Sequence, residues 1–383
     1  MNKRVQALAL VGVAALALSG CASKSSGSSG GTSSSAAPAT STAASTPTSS
    51  NGGSGVATAA LKACMVLDTG GVDDRSFNQS SWAGMQAAHA SNPNIQISYV
   101  PSNSQNDYAP NLAAEQAKGC DTIIAVGGLM ADAVKAAAAK NPQQTYAEID
   151  NASQGPNIYG LQYNTAQGAF LAGYLAAGMT KTGKVATYGG IPIPPVTIYM
   201  DGFWEGVQYY NKQNNKQVQV LGWNETQQKA GTFVNGGNPF NDLNKGKQIT
   251  AAFQGQGADI VFPVAGGTGL GSAAAAKASG GKLSVIWVDT DGCVSAQQYC
   301  SVFLTSVTKG LTTSVTAYVK ALASGAKLGG GNYIGTLQNG GTGLAPYHDY
   351  ASKVPAALTA QLAQVKADII SGKITITSPS QPK

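Results

Sequence analysis

ACMVLDTGGVDDRSFNQSSWAG, residues 63–84, reads as a short apolar run that opens through a loop into a helix. The run has the length and composition of a buried strand. Behind it, Asp68, Asp73, Asp74, Arg75, Gly70 and Gly71 crowd a loop that is costly to keep unless it holds something. The same punctuation recurs along the chain. Strand signals fall at 63–68, 95–100, 121–126, 146–150 and 158–163, then at 184–188, 218–221, 259–264, 283–289 and 302–306. Ala-rich segments with helical spacing, such as 111–118 and 131–140, lie between them. Strands alternating with helices imply an α/β protein with parallel sheets covered on both faces. The length from residue 60 to residue 383 suits two such cores better than one.

Five strand signals run into glycine-rich, often acidic loops: DTGGVDD at 68–74, GGLMAD at 127–132, GGIPIPP at 189–195, AGGTGLGS at 265–272 and DTDG at 289–292. In open α/β sheets ligands bind outside the carboxyl ends of the strands, where backbone must approach closely. Two lobes that each present such an edge describe a cleft that closes by hinge motion. Turn-shaping alone accounts for one or two of these glycine pairs, not for the set.

The chain start speaks to location. Lys3 and Arg4 precede an apolar run from Val5 to Leu18, then small residues, the pattern of a secretory signal too short to span a bilayer. It ends in LSGC, residues 18–21, which resembles a bacterial lipobox and implies acylation of Cys21. Acyl chains contribute roughly 0.8 kcal/mol per buried methylene, so the expectation is a tethered protein on the outer membrane face. Residues 22–58 are Ser, Ala, Thr, Gly and Pro with little else, the composition of a flexible tether. That long Ser/Thr/Ala tract suggests a Gram-positive, actinobacterial surface.

The net charge of +6 falls to +4 once Lys3 and Arg4 leave with the signal, and no basic run occurs. Nucleic acid is therefore not an expected partner. Of the five cysteines, Cys293 and Cys300 are close enough to clip one loop. Cys64 and Cys120 sit at strand starts and can pair across neighbouring strands, which an extracytoplasmic location permits. A metal site is the rival reading of these thiols, but the spacings fit no zinc pattern and the only histidines are His89 and His348. No cofactor is expected. GGTGLGS lacks the G-x-G-x-x-G spacing, no phosphate-binding G-x-x-x-x-G-K-[ST] occurs, and no nucleophile elbow is present. Paired acids such as Asp73/Asp74 and Asp289/Asp291 could do acid–base work or accept hydrogen bonds from hydroxyls.

The stretch DTGGVDDRSFNQSSWAG resembles the signature of the basic membrane lipoprotein family of ABC-importer substrate-binding proteins, whose described members bind purine nucleosides. The likeness continues, in order, through GAFLAGYLAAGMTKTGKVATYGGIPIPPVTIYMDGFWEGV at 168–207, GADIVFPVAGGTGLGSA at 257–273, VIWVDTDG at 285–292 and VFLTSVTKG at 302–310. It covers about residues 62–375. The resemblance implies a type I periplasmic-binding-protein fold: two doubly wound parallel-sheet lobes, three crossovers and ligand in the hinge cleft. It places the lobes at 59–163 plus about 305–330 and at 164–304 plus about 331–375, with 376–383 a tail.

Carried over residue by residue, the family implies a nucleobase stacked between Phe77 and Tyr199, the second position being usually Phe. Phe203 is then a core residue. Asp68, Ser76 and Asn78 are expected to contact base or sugar. Asp289, Asp291 and Lys309 are expected at the ribose, with Asp291 the preferred contact and strand-ending the alternative role for Asp289. Gly266 and Gly267, and Gly127 and Gly128 in the other lobe, should let backbone approach the ligand. Aspartates accept from hydroxyls and ring N–H groups and repel phosphate, so a neutral nucleoside is favoured over a nucleotide. Lys309 is the evident partner of the acids. Gln167 and Gly292 depart from the family pattern, and the loop between Cys293 and Cys300 looks like a local elaboration. The resemblance implies a monomer working with an ABC permease and ATPase, with no catalysis of its own. A sugar receptor on the same fold, a glycoside-cleaving enzyme and a purely structural lipoprotein are the rivals.

Overall fold

A computed structural model describes residues 60–383. The signal segment, Cys21 and the tether through residue 58 lie outside the described residues. The first sheet contains β1 (Leu61–Val66), β2 (Ile95–Val100), β3 (Thr122–Val126), β4 (Thr145–Ile149), β5 (Ile158–Tyr163) and β11 (Asn332–Gly335). Its order is β2-β1-β3-β4-β5-β11, and every pairing is parallel. The second contains β6 (Lys184–Gly189), β7 (Gln219–Leu221), β8 (Ile260–Val264), β9 (Ser284–Asp289), β10 (Phe303–Lys309) and β12 (Thr342–Leu344). Its order is β7-β6-β8-β9-β10-β12, parallel except for the β10–β12 edge.

The strands read as continuous apolar runs because helices cover both faces. In β1 and the residue after it, Ala63 to Leu67 are all fully buried, and alternate side chains enter two different cores. Met65 packs under α1 (Phe77–Ser91) and α9 (Leu311–Ala323), while Cys64 and Val66 face α2 (Tyr108–Ala117) and α3 (Ala131–Lys140). In the second lobe α4 (Thr165–Met179) is apolar on nearly every side and correspondingly buried. It crosses α5 (Pro194–Asn214) at backbone contact: a Cβ on Gly173 would overlap the Phe203 carbonyl, and one on Gly206 the Phe170 carbonyl. Helices α6 (Leu243–Gly255), α7 (Gly269–Ala278) and α10 (Ala356–Ile370) complete that lobe.

The chain passes between lobes at Asn164, at Gly310 and between β11 and β12. Two of these crossings come later than the sequence boundaries of about 305 and 330. Strand β10 stays paired with β9 through Thr308↔Asp289, so the second lobe keeps residues 303–309. Strand β11 belongs to the first lobe, beside β5. Both β11 and β12 are missing from the sequence reading because they are short and flanked by glycine-rich turns. Residues 376–383, read as a tail, pack on the second lobe, with Ile376 and Ser378 buried. Disulfides join Cys64 to Cys120, linking β1 to the start of β3, and Cys293 to Cys300.

Candidate functional site

The carboxyl ends of both sheets face one another across a cavity. Asp68, Gly127, Gly128 and Asp150 line it from the first lobe, where they follow β1, β3 and β4. Gly266, Asp289 and Lys309 line it from the second, after β8 or at the ends of β9 and β10. The first turn of α1 adds Phe77 and Asn78; the first turns of α5 add Pro195, Val196 and Tyr199.

The opening loop is built around two carboxylates. Asp74 Oδ1 accepts from the backbone N–H of Ser76 (2.9 Å) and Gln79 (3.2 Å); its Oδ2 accepts from Asn78 N–H (2.8 Å) and Asn78 Nδ2 (3.1 Å). It thus satisfies two of the free N–H groups that begin α1, those of Asn78 and Gln79. Burial pushes its carboxyl up to about 7 against those donors. Asp68 Oδ1 accepts from Gly70 N–H (2.9 Å) and Asn78 Nδ2 (2.7 Å). Burial raises the Asp68 carboxyl, with those two donors opposing. No donor among the described residues reaches Asp68 Oδ2, and it lies 2.9 Å from where a Cβ on Gly127 would stand. Gly127 has φ +114°, so this close approach rests on glycine twice over, in space and in backbone.

Asp150 and Asp289 close β4 and β9 in left-handed conformations, φ 75° and 67°. Such non-glycine geometry costs on the order of 1–3 kcal/mol at each residue and persists only where the surroundings enforce it. Both Asp150 oxygens lie 2.9 Å from Lys309 Nζ, a buried ion pair that crosses the lobes. Burial raises the Asp150 carboxyl and the Lys309 ammonium pulls it back. Asp289 Oδ1 accepts from Tyr199 Oη (2.6 Å) and Oδ2 from Ser76 Oγ (2.8 Å), with Lys309 Nζ at 3.9 Å. Lys309 also sits 4.8 Å from the Phe77 ring centre and 5.5 Å from those of Tyr163 and Tyr199. It is the only cation lining the cavity among the described residues, against Asp68, Asp74, Asp150 and Asp289. Other contacts also join the lobes at the mouth: Ser76 Oγ lies 3.1 Å from the Val288 carbonyl, Trp287 Nε1 donates to that of Arg75 and Asn238 Nδ2 to that of Thr69.

Of the residues singled out from sequence, Asp68, Phe77, Asn78, Gly127, Gly128, Tyr199, Gly266, Asp289 and Lys309 line the cavity. Ser76 lies beneath it, bonded to Asp289, and Gly267 sits just behind Gly266, against the Phe240 carbonyl. The preference for Asp291 over Asp289 is reversed. The left-handed turn at Asp289 aims that carboxylate into the cleft. Two residues on, Asp291 caps the short helix α8 (Gly292–Ser295) through Cys293 N–H and meets His348 Nε2 at 2.7 Å. Phe203 is a fully buried core residue, as expected.

Asp74, Asp150 and Phe240 line the cavity without having been assigned there. Asp150 carried a readable signal, since it ends a strand as Asp68 and Asp289 do. Phe240 had none; it lies in the NPFND loop, remote from any strand end, and packs where Gly190 leaves room for its ring. Tyr199 is almost wholly buried, edge-on to Phe262, with its hydroxyl engaged by Asp289, so the partly exposed second-lobe aromatic is Phe240.

Two parallel-sheet lobes, three crossovers and a cleft built from strand ends define a solute-binding clamp of the type I periplasmic-binding-protein fold. The sequence comparison gives the family: residues 61–379 match the family model described as ABC transporter substrate-binding protein PnrA-like, and the chain belongs to that family. Among relatives, it is 30% identical to the ABC transporter nucleoside-binding protein BmpA of Lactococcus lactis, over 99% of this chain and 100% of that protein. It is also 30% identical to the CD4+ T-cell-stimulating antigen of Listeria monocytogenes, over 83% of this chain and 88% of that one. Among solved structures, an ABC transporter solute-binding protein from Aeropyrum pernix superposes with a TM-score of 0.71 at 23% identity, covering 83% of this chain and 94% of the other. One from Conexibacter woesei gives 0.62 at 19%, covering 84% and 100%. These two likenesses bear on the fold. No helix among the described residues is long and apolar enough to cross a membrane.

Proposed function

We propose that this chain is the nucleoside receptor of an ABC importer, held on the outer membrane face by lipid on Cys21 and delivering its ligand to a permease without catalysis. The observation that carries the reading is the composition of the cavity: four carboxyl groups, one ammonium and two partly exposed aromatic rings from opposite lobes, Phe77 and Phe240. A flat base suits the aromatic walls. Asp68 Oδ2, the one carboxylate oxygen at the site that no donor among the described residues occupies, accepts an N–H or O–H from the ligand. Asp150, Asp289 and Lys309 form the polar end that vicinal hydroxyls would enter, exchanging bonds now made between protein groups. A phosphate would meet the excess of acids, so nucleotides are excluded. The name of the Lactococcus lactis relative agrees with this ligand class, and a purine is the base that the family resemblance implies.

Replacing Phe77 with Ala tests the ligand class. Loss of an aromatic stack of about 1–3 kcal/mol weakens nucleoside binding roughly five- to hundredfold, while ribose and glucose remain non-ligands. Tight sugar binding that survives the replacement would overturn the assignment. Product formation from a bound nucleoside would make the protein a hydrolase instead.

A further inference from the structure

The segment 376–381 has no place in the ligand site, yet it is bonded along its whole length. Thr377 and Ser378 backbone N–H groups donate to the Glu205 carboxylate at 2.9 to 3.1 Å. Ser378 Oγ donates to Asp201 Oδ2 at 2.6 Å, and Ser380 Oγ lies 2.8 Å from Thr197 Oγ1. Thr197, Asp201 and Glu205 are four apart on α5 and so form one stripe on its surface. The segment follows that stripe back toward the first turns of α5, where Pro195, Val196 and Tyr199 line the ligand cavity. It then reaches Gln381, whose Oε1 accepts from Asn164 Nδ2 at 2.9 Å. Asn164 is the first crossover between lobes, and its own N–H donates to the Gly335 carbonyl at the start of the third.

Two further observations point to a brace rather than a surface decoration. The stripe is acidic, and among the described residues no ion pair neutralises Asp201, Glu205 or nearby Glu225. Both oxygens of Asp201 and both of Glu205 take N–H or O–H donors, many of them from the segment. Glu225 takes the Thr377 hydroxyl, and Asp201 also holds Trp223 Nε1 at 3.0 Å. Second, a cavity on the hinge side is lined by Asp150 and Asn151 from the first lobe, Pro194 from the second, and Pro379 and Gln381 from the segment. The segment therefore lies where the lobes change their relative angle.

We propose that residues 376–381 are a positioning element for the ligand site, a strap that seats α5 and braces the first crossover so that the cleft opens only over a limited angle. Asp201 and Gln381 are its two anchors. The proposal rests on the clamp reading of the cleft and not on the identity of the ligand. Spin labels placed at the exposed positions Lys135 on α3 and Lys366 on α10 report the distance between lobes with no ligand present.

In the otherwise unchanged chain, Gln381→Ala together with Ser380→Ala should broaden the distance distribution and extend it to longer values. Dissociation of bound adenosine should accelerate about two- to tenfold, the worth of a hydrogen bond or so. Ser378→Ala, which strips a donor from buried Asp201, should do the same, and Ser378→Thr should restore the parent distribution. A narrow distribution unchanged in both Ala variants, with folding shown intact by circular dichroism, would overturn the proposal. If no nucleoside binds the parent chain, the nucleoside reading fails while the label distances still decide this one.

Discussion

Lys309 is where the account is most exposed to test. Its Nζ is within 2.9 Å of both Asp150 oxygens and 3.9 Å of Asp289, with side-chain exposures of 4% and 9% for the Lys309–Asp150 pair. Lys309→Met keeps the stem that packs under the aromatic rings and removes the charge. Two buried carboxylates then lose their cation, and breaking such a pair from one side costs about 3–5 kcal/mol. Asp150→Asn breaks it from the other side and leaves Lys309 facing Asp289 alone, which softens the loss to about 1–3 kcal/mol. The double variant leaves only Asp289 without its cation, so part of the first loss should return. Denaturant unfolding of all four proteins, followed by Trp fluorescence and circular dichroism together, gives the coupling directly. A coupling of about 2 kcal/mol or more is expected. Additive losses, or a Lys309→Met loss below about 1 kcal/mol, would mean that the pair does not hold the lobes together and that its place in the site has been misjudged.

Gly127→Ala should cost at least 1 kcal/mol in stability, since Ala is strained at φ +114°. It should also remove ligand binding, because the new Cβ stands against Asp68 Oδ2; calorimetry showing parental affinity would refute this. Burial pushes the Glu148 carboxyl up to about 7, and one of its oxygens is buried with no hydrogen-bond partner among the described residues. The native state therefore keeps a proton that the unfolded chain releases above about 4.5, so this group's contribution is full below that pH and is lost as pH rises to about 7. Glu148→Gln should match the parent near pH 4.5 and exceed it by up to about 3 kcal/mol at pH 8; an equal offset at both would contradict the assignment. Removing the disulfides by paired Cys→Ala changes should cost unequally. Loop-closure entropy gives about 4 kcal/mol for Cys64–Cys120, separated by 56 residues, and about 2.5 for Cys293–Cys300, separated by 7. Equal losses in calorimetric unfolding would argue against an entropic origin.

The two-lobe α/β architecture was legible because buried parallel strands are apolar throughout and end abruptly in Gly and Asp, as at Leu67–Asp68 and Val288–Asp289. Nothing in the local sequence marks Asn332–Gly335 or Thr342–Leu344 as strands, since each is held by a neighbour distant in the chain. Asp150 was within reach of the strand-end rule. The choice between Asp289 and Asp291 was not, because it depends on a single left-handed residue that redirects both side chains. Phe240 enters the site through tertiary packing on Gly190, and no spacing in the sequence reports such a contact. The seating of residues 376–381 was hidden likewise: the i, i+4, i+8 stripe at Thr197, Asp201 and Glu205 reads as an ordinary polar helix face until the chain returns to cover it.

The central claim is that the cleft takes a neutral nucleoside. Its most direct test is calorimetric titration of the protein from residue 58 onward, unfolded and refolded to strip carried ligand, with adenosine, guanosine, inosine, uridine, AMP, adenine, ribose and glucose in turn. Saturable binding of at least one purine nucleoside at one site per chain is expected, with AMP, ribose and glucose silent. Binding of glucose or ribose with every nucleoside silent would leave the fold standing and contradict the function.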